Sequence, residues 1–382
     1  MDRLLLLGAG KIGAAIAELL CGSGDYKVTI ADREQDLLNA IDRNDVNRVV
    51  VDVEDGAAVL AAMKDQDAVI SALPYYLNVT VAKAACKAGL HYFDLTEDVE
   101  TTRAVRKIAA KAKSAFMPQC GLAPGFISIA AYELTKSFER LETVRMRVGA
   151  LPQFPTNALN YNLTWSTDGL INEYCNPCDA IHEGKKIDVL ALQGIEQFSL
   201  DGITYEAFNT SGGLGTLCET LDGGVRELNY KTVRYPGHCD FMKMLVNDLR
   251  LGERRELFRE LLEAAIPVTL QDVVLVFTTV TGTRGGRLTQ ESYANKIYSQ
   301  DINGTTWSAI QITTAAGICA AVDLMRSGKL PRQGFVRQED ISLPDFLANR
   351  FGRYYDTDNT SPGLQQIRRL QGEFDHGYDR AV

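Results

Sequence analysis

Leu4-Leu5-Leu6-Leu7-Gly8-Ala9-Gly10-Lys11-Ile12-Gly13 decides the fold. Four leucines make an apolar run of strand length, and residues 14–21 read as helix. Between them stands Gly8-x-Gly10-x-x-Gly13, the phosphate-binding turn of a dinucleotide fold. Gly8 permits the tight turn, Gly10 lets the backbone approach a pyrophosphate, and Gly13 lets the helix pack on the strand. Lys11 and Ile12 lie within the turn, where the helix start offers N–H groups and partial positive charge to phosphate.

Outward from this turn, strand and helix alternate over the first 120 residues. Strands are expected at 27–31, 48–53, 68–72 and 90–94, and helices at 57–64, 77–88 and 99–112. This alternation predicts βαβ units and a parallel sheet. Asp32 ends the second strand 19 residues after Gly13. A carboxylate there accepts from a ribose 2′-hydroxyl and repels a 2′-phosphate, which favours NAD. Arg33 beside it is a phosphate partner, so NADP also stands. Asp52 and Val53 end the third strand, near the expected adenine. Ala72, Leu73 and Pro74 follow the fourth, where the nicotinamide ribose belongs.

After Pro124 the pattern changes. Residues 143–149 alternate as a strand with one exposed face. Residues 204–209, 227–235 and 268–281 are β-rich, and glycines at 285 and 286 mark a hairpin returning over 288–298. Residues 308–327 form a small-residue apolar helix suited to packing back on the first domain. The expected fold class is α/β: a Rossmann doubly wound parallel sheet over 1–124 and a second α+β domain over 125–307. A helical segment over 308–352 returns to the first domain, and a partly disordered polar tail covers 353–382.

The chain has 382 residues, 40 basic and 49 acidic, for a net charge of −9. This balance gives no general attraction to phosphate backbones, so nucleic acid is not an expected partner. No run of about 18 apolar residues predicts a membrane span. No signal peptide is read at the N-terminus, and eight scattered cysteines fit reduced thiols and a cytoplasmic setting. Cys175-Asn-Pro-Cys178 lacks a second cysteine pair or a histidine pair, so no metal site is expected. Cys120 is read as a packing residue.

Six segments carry a resemblance. They are Gly8–Gly13, Ala68-Val-Ile-Ser-Ala-Leu-Pro-Tyr75, Tyr92-Phe-Asp-Leu-Thr-Glu97, Cys120-Gly-Leu-Ala-Pro-Gly125, Thr164-Trp-Ser-Thr-Asp-Gly169 and Arg234-Tyr-Pro-Gly-His238. With them, residues 3–330 resemble the saccharopine dehydrogenase family, which includes saccharopine reductases and lysine 6-dehydrogenases. The resemblance implies a second domain that binds substrate and pairs in a homodimer. It also implies hydride exchange at a C–N bond of a lysine-derived amino acid, through an imine that water hydrolyses. Saccharopine is placed first. In saccharopine reductases the position of Asp168 is an arginine; an acid there suits the amine of lysine instead. A carboxynorspermidine-type imine reductase and a non-catalytic dinucleotide-binding protein are the remaining alternatives.

Amine oxidation needs an uncharged nitrogen, hence a proton acceptor. Asp94, at the fifth strand's end on the crevice side, is one candidate, as is His238, placed in a Pro-Gly turn and titrating near neutrality. Tyr75 is a third catalytic candidate. Arg234 is the expected carboxylate clamp, because its fork matches a carboxylate. Asp168, as amine ligand or helix cap, and Glu97 complete the expected substrate contacts. The glycine-rich 211–215 is a loop whose N–H groups suit a carboxylate.

Overall fold

The computed structural model describes residues 2–356. Leu4 to Leu7 are fully buried. Leu4 and Leu6 face one core, Leu5 and Leu7 another, because a strand covered on both sides alternates between two apolar layers. This strand, β1 (Arg3–Leu7), leads through the glycine turn into α1 (Lys11–Gly22). There follow β2 (Lys27–Asp32), α2 (Gln35–Asn39), β3 (Asn47–Val50), α3 (Gly56–Ala62), β4 (Ala68–Ser71), α4 (Asn78–Ala88), β5 (His91–Asp94), α5 (Val99–Ala109) and β6 (Ala115–Met117). The sheet is parallel, in the order β3-β2-β1-β4-β5-β6. Its order reverses between β1 and β4, where the glycine turn opens, and ligands bind at such a switch point.

Two expectations change here. The third strand stops at Val50, so Asp52 and Val53 lie in the turn beyond it. Asp52 Oδ1 there accepts the Glu54 N–H at 2.9 Å, an Asx turn that ends strand pairing. The sheet also gains β6, whose three residues are too few to show a period.

The second domain begins with α6 (Phe126–Thr135) and the long β7 (Arg140–Pro152). Then come α7 (Thr167–Cys175), β8 (Cys178–His182), β9 (Lys185–Val189), β10 (Glu196–Leu200), β11 (Ile203–Asn209), α8 (Leu217–Thr220), β12 (Val225–Arg234), α9 (His238–Lys243), α10 (Arg255–Ala265), β13 (Asp272–Arg284) and β14 (Arg287–Tyr298). The main sheet runs β10-β11-β12-β7-β13-β14, with the β8–β9 hairpin attached to β12. Only β12 and β7 pair in parallel within it. A small hairpin, β15 (Gln300–Ile302) and β16 (Thr305–Trp307), precedes α11 (Ala309–Arg326).

Helix α11 ties the two domains together. Ser308 caps it in a reciprocal box with Gln311, and buried Asp272 accepts the Ala309 and Ile310 N–H groups at 2.6 and 3.0 Å. It packs against both α1 and β13. A Cβ at Gly317 would lie 2.7 Å from the Cys120 carbonyl oxygen, so glycine lets the loop between the domains rest directly on the helix. By length and composition α11 would cross a membrane, yet 83% of it is buried inside the protein, as befits a core helix. The chain then adds β17 (Gly334–Phe335) beside β6 and ends its described part with α12 (Leu343–Ala348) and a 3-10 turn, Gly352–Tyr355. The polar tail therefore starts later than Arg353. Tyr355 is fully buried, and its hydroxyl donates to the Thr313 carbonyl at 2.6 Å. The disorder expected further along falls at 357–382, outside the described residues.

Candidate active site

The glycine turn has the geometry its spacing predicts. Gly8 sits at φ +102°, and a Cβ on Gly13 would stand 1.9 Å from the Gly8 carbonyl oxygen. Gly10 differs: a Cβ there meets no protein atom within 4 Å. The space above it is an open cradle that a side chain would fill. No side chain caps α1 and no acid stands in its first turn, so the first-turn N–H groups of Lys11, Ile12 and Gly13 face that cradle without a partner. An anion fits there. Asp32 accepts the Ala9 N–H at 2.7 Å and the Glu34 N–H at 3.0 Å, through different oxygens. It thus braces the turn, and each oxygen keeps a lone pair for a ribose hydroxyl. Arg33 is exposed and pairs with Glu34 at 3.3 Å.

From the turn the crevice opens into a cavity of about 300 Å³ between the domains. Ile12, Ala72, Leu73 and Pro74 wall its first-domain side. Tyr75, Glu97, Asp168 and Arg234 reach it from four different elements, and Glu173, Trp165 and Tyr230 complete the polar and aromatic wall. Gly121 to Pro124, between the domains, form part of the lining.

Arg234, at the end of β12, is 2% exposed. Its Nη1 donates to the Val233 carbonyl at 2.9 Å and its Nε to the Tyr174 hydroxyl at 3.1 Å. The guanidinium lies 5.1 Å over the Tyr161 ring. Among the described residues no carboxylate comes within ion-pair distance of it. A buried guanidinium held on two sides and unpaired on the third is prepared for an incoming carboxylate.

His238 holds this arrangement from outside the cavity. It begins α9 rather than standing in a turn, and it is fully buried. Nδ1 lies 2.8 Å from the Leu159 carbonyl, which can only accept, so Nδ1 carries the proton. Nε2 then accepts from the Tyr174 hydroxyl at 3.1 Å. Burial, with the Arg234 charge nearby, pushes its pKa down to about 3. The residue therefore stays neutral where the sequence reading needs it to titrate. It orients Arg234 through Tyr174 and is not a proton acceptor.

Asp94 is corrected in the same way. It is fully buried and does not line the cavity. Oδ2 accepts the Tyr92 hydroxyl at 2.6 Å, and Oδ1 accepts the Thr96 and Gln119 N–H groups at 2.9 and 3.0 Å. Its work is to tie the β5 end to the loop that carries Glu97 and to the loop that enters the second domain. Asp168 does not cap α7. Ser166 does so, accepting the Gly169 N–H at 3.1 Å. Asp168 stands in the first helical turn at the cavity edge, 3.5 Å from Arg259.

Glu173 was not legible as a site residue. It is 6% exposed, on α7, and lines the cavity. Burial, reinforced by the Glu97 charge and opposed by Arg234, pushes its pKa up to about 8. Burial, with Asp98 and Asp94 adding like charge, pushes Glu97 up to about 7. The clue lay in the helix: an acid four residues after Gly169, close to buried Ile171 and Tyr174.

A stability prediction follows from Glu173. Between its ordinary value of 4.5 and about 8, the unfolded chain has lost a proton that the folded chain keeps. Stability then falls as pH rises through that window. Glu173→Gln, which never ionises, is expected to show no thermal gain over the wild type at pH 4 and a gain of several degrees at pH 9. Unfolding midpoints across that range check this; a shift equal at every pH would contradict it.

The remaining motifs stay outside the cavity. The glycines of 211–215 serve close approach: a Cβ at Gly212 would lie 2.2 Å from the Glu97 carbonyl oxygen, and one at Gly213 equally close to the Tyr230 ring. Cys120 is buried, and its thiol donates to the Met117 carbonyl at 3.1 Å. Cys175 and Cys178 are free thiols. His182, Glu183 and Glu227 cluster on the exposed β8–β9 hairpin and β12, where they pair with one another and with Arg226.

Comparison with known proteins agrees with this architecture. Residues 4–117 match the model of the saccharopine dehydrogenase NADP binding domain, and residues 121–353 that of the saccharopine dehydrogenase C-terminal domain. The saccharopine dehydrogenase [NADP(+), L-glutamate-forming] of Schizosaccharomyces pombe is 26% identical over 268 residues, which cover 65% of this chain and 58% of that protein. The rat mitochondrial alpha-aminoadipic semialdehyde synthase is 27% identical over 197 residues, 49% of this chain and 21% of its own length. The chain thus spans less than two thirds of these relatives. The apo saccharopine dehydrogenase (L-Glu forming) of Saccharomyces cerevisiae shares the fold, with a TM-score of 0.73 at 18% identity, covering 93% of this chain and 96% of that one. With both domain models matched along most of its length, the chain belongs to the saccharopine dehydrogenase family.

Proposed function

We propose that this protein is an NAD(P)-dependent oxidoreductase acting on the C–N bond of a lysine-derived amino acid, with saccharopine as first substrate. One observation carries the reading. A buried arginine without a carboxylate partner faces a cavity whose opposite wall is the nicotinamide side of a dinucleotide crevice. When bound, the nicotinamide ring supplies the hydride acceptor. The chain's own residues then position the amino acid. Arg234 clamps a carboxylate, Tyr75 offers a hydroxyl at the cavity wall, and Leu73, Leu95, Leu122 and Trp165 exclude water from the reacting carbon. Gly10, Lys11, Ile12 and Gly13 hold the pyrophosphate, and Asp32 the adenine ribose. Exposed Arg33 is the partner for a 2′-phosphate, and the relatives named for NADP support its use.

A second reading has its own observation. The cavity holds three carboxyl groups, Glu97, Asp168 and Glu173, against one arginine. That balance favours a substrate with one carboxylate and a cationic amine, such as lysine. In favour of saccharopine, Arg259 offsets Asp168, and Arg255 stands on the same helix, bonded to Asn172 and Asn176. These two cations suit further carboxylates at the cavity mouth. Pairing of two copies through the second domain rests on the family resemblance, and the eight free thiols support a cytoplasmic setting.

The test is an initial-rate assay at 340 nm with saccharopine and lysine in parallel, each with NADP and with NAD. Turnover of saccharopine is expected. Turnover of lysine alone moves the chain to the second reading, and turnover of neither overturns both.

A further inference from the structure

Glu97 and Glu173 both line the cavity, from different elements. Glu97 follows β5 on the loop tied down by Asp94, and the chain at Gly212 presses on its carbonyl. Glu173 lies on α7 one turn beyond Gly169. A Cβ at Gly169 would stand 3.2 Å from Glu97 Oε1, so the bare glycine seats the Glu97 carboxyl against α7. Residues four apart on a helix are neighbours, about 5–6 Å between Cβ atoms, which puts Glu173 beside that seat. Among the described residues neither carboxyl has an ion-pair partner or a hydrogen-bonded side chain. Glu173 is a nearly buried acid, open only to the cavity.

We propose that Glu97 and Glu173 act as one carboxyl pair that holds a single proton between them and takes a second from the substrate's ammonium nitrogen. This rests on the oxidoreductase reading and supplies the proton acceptor it requires. The nitrogen–hydrogen bond breaks, its electron pair stays on nitrogen, and an O–H bond forms on the ionised carboxylate. The pair passes from one negative charge to none. The freed lone pair then drives hydride departure from the adjacent carbon.

Two like charges in one pocket, each largely buried, resist joint ionisation, which is why such a pair shares a proton. The groups around it act mostly in that sense. Asp94 and Asp98 stand beside Glu97, and Tyr161, Tyr174, Tyr230 and Cys178 around Glu173. Asp168 and Tyr75 share the cavity. Arg234 favours ionisation of Glu173, and a hydrogen bond from its own backbone favours that of Glu97; Arg234 is engaged by the substrate carboxylate. The upward displacement of both acids agrees with this geometry.

Infrared difference spectra of the wild-type protein, titrated between pH 5 and 10, read the proton directly. A carboxylic acid C=O band is expected to persist at about pH 7.5 and vanish above it, and to be absent at that pH in E97Q/E173Q. No such band overturns the pair. In turnover, E97Q and E173Q are each expected to lower kcat by about 100-fold, the scale of lost acid–base catalysis. The double variant is expected to lose no more than the worse single one, as groups acting as a unit do. Single losses that multiply overturn the shared role. The spectrum needs no turnover, so failure of the pair and failure of the oxidoreductase reading give different results. If a variant does not fold, the wild-type band and its midpoint still decide.

Discussion

Arg234→Met is expected to raise the KM for the amino-acid substrate by about 30- to 4000-fold while leaving the fold intact. The range converts the roughly 2–5 kcal/mol lost when one partner of a buried charge pair is removed, at about 1.4 kcal/mol per tenfold. In the free protein no carboxylate among the described residues stands within ion-pair distance of this guanidinium, and Glu173 acts on it only at longer range, so methionine breaks no ion pair. The thermal midpoint is therefore expected to change little as affinity collapses. A structural arginine would show the reverse, with lost stability and an unchanged KM. Arg234→Lys separates charge from shape: it keeps the cation and loses the fork held by Tyr174 and Val233, so an intermediate KM is expected. Initial rates over a substrate series, with thermal melts of the same samples, check all three. A KM within error of the wild type in the methionine variant would remove Arg234 from the site.

The contrast between Arg234 and Asp94 shows what the sequence makes legible. Asp94 was singled out at the end of an apolar strand, and Arg234 for a fork that matches a carboxylate. Arg234 lines the cavity because its neighbours on either side, Tyr174 and Tyr161, leave one edge of the fork free. Asp94 does not, because a loop 25 residues on brings Gln119 N–H to its carboxylate, and such long-range closure has no local signature. His238 was misread for a related reason. Pro236 and Gly237 predict a turn, and Gly237 does adopt φ +96°, yet the chain goes straight into α9 and carries the ring into the core. Some elements were lost where periodicity fails: α6 is apolar nearly all round, and β6 and β17 are three and two residues long; the amphipathic α10 was missed although its apolar residues recur at helical spacing. The first β-turn-α unit was readable because everything that shapes it lies within thirty residues. Glu173 needed the opposite kind of knowledge, since only the assembled cavity shows which face of α7 it occupies.

Two glycines three residues apart are expected to fail in different ways, and the difference locates the cofactor. In Gly13→Ala the new Cβ would stand 1.9 Å from the Gly8 carbonyl oxygen and 2.9 Å from its carbon. Both atoms are backbone, so no rotamer relieves the overlap; α1 must lift from the turn or the turn must open. Overpacking of this kind costs typically about 1–3 kcal/mol. A lower thermal midpoint is expected, with NADPH affinity down at least about 100-fold as the N–H cradle loses its shape. Gly10→Ala meets no protein atom within 4 Å, and its φ of −71° is open to any residue. Its midpoint is expected to stay level or rise slightly, since alanine has less unfolded-state freedom to lose. Its methyl group, however, occupies the space assigned to the pyrophosphate, so affinity should still fall. Titration of both variants with NADPH and NADH, alongside melts without nucleotide, distinguishes damage to the fold from obstruction of the site. Wild-type affinity in Gly10→Ala would mean that the phosphates lie elsewhere, and the assignment of the glycine turn as their cradle would then be wrong.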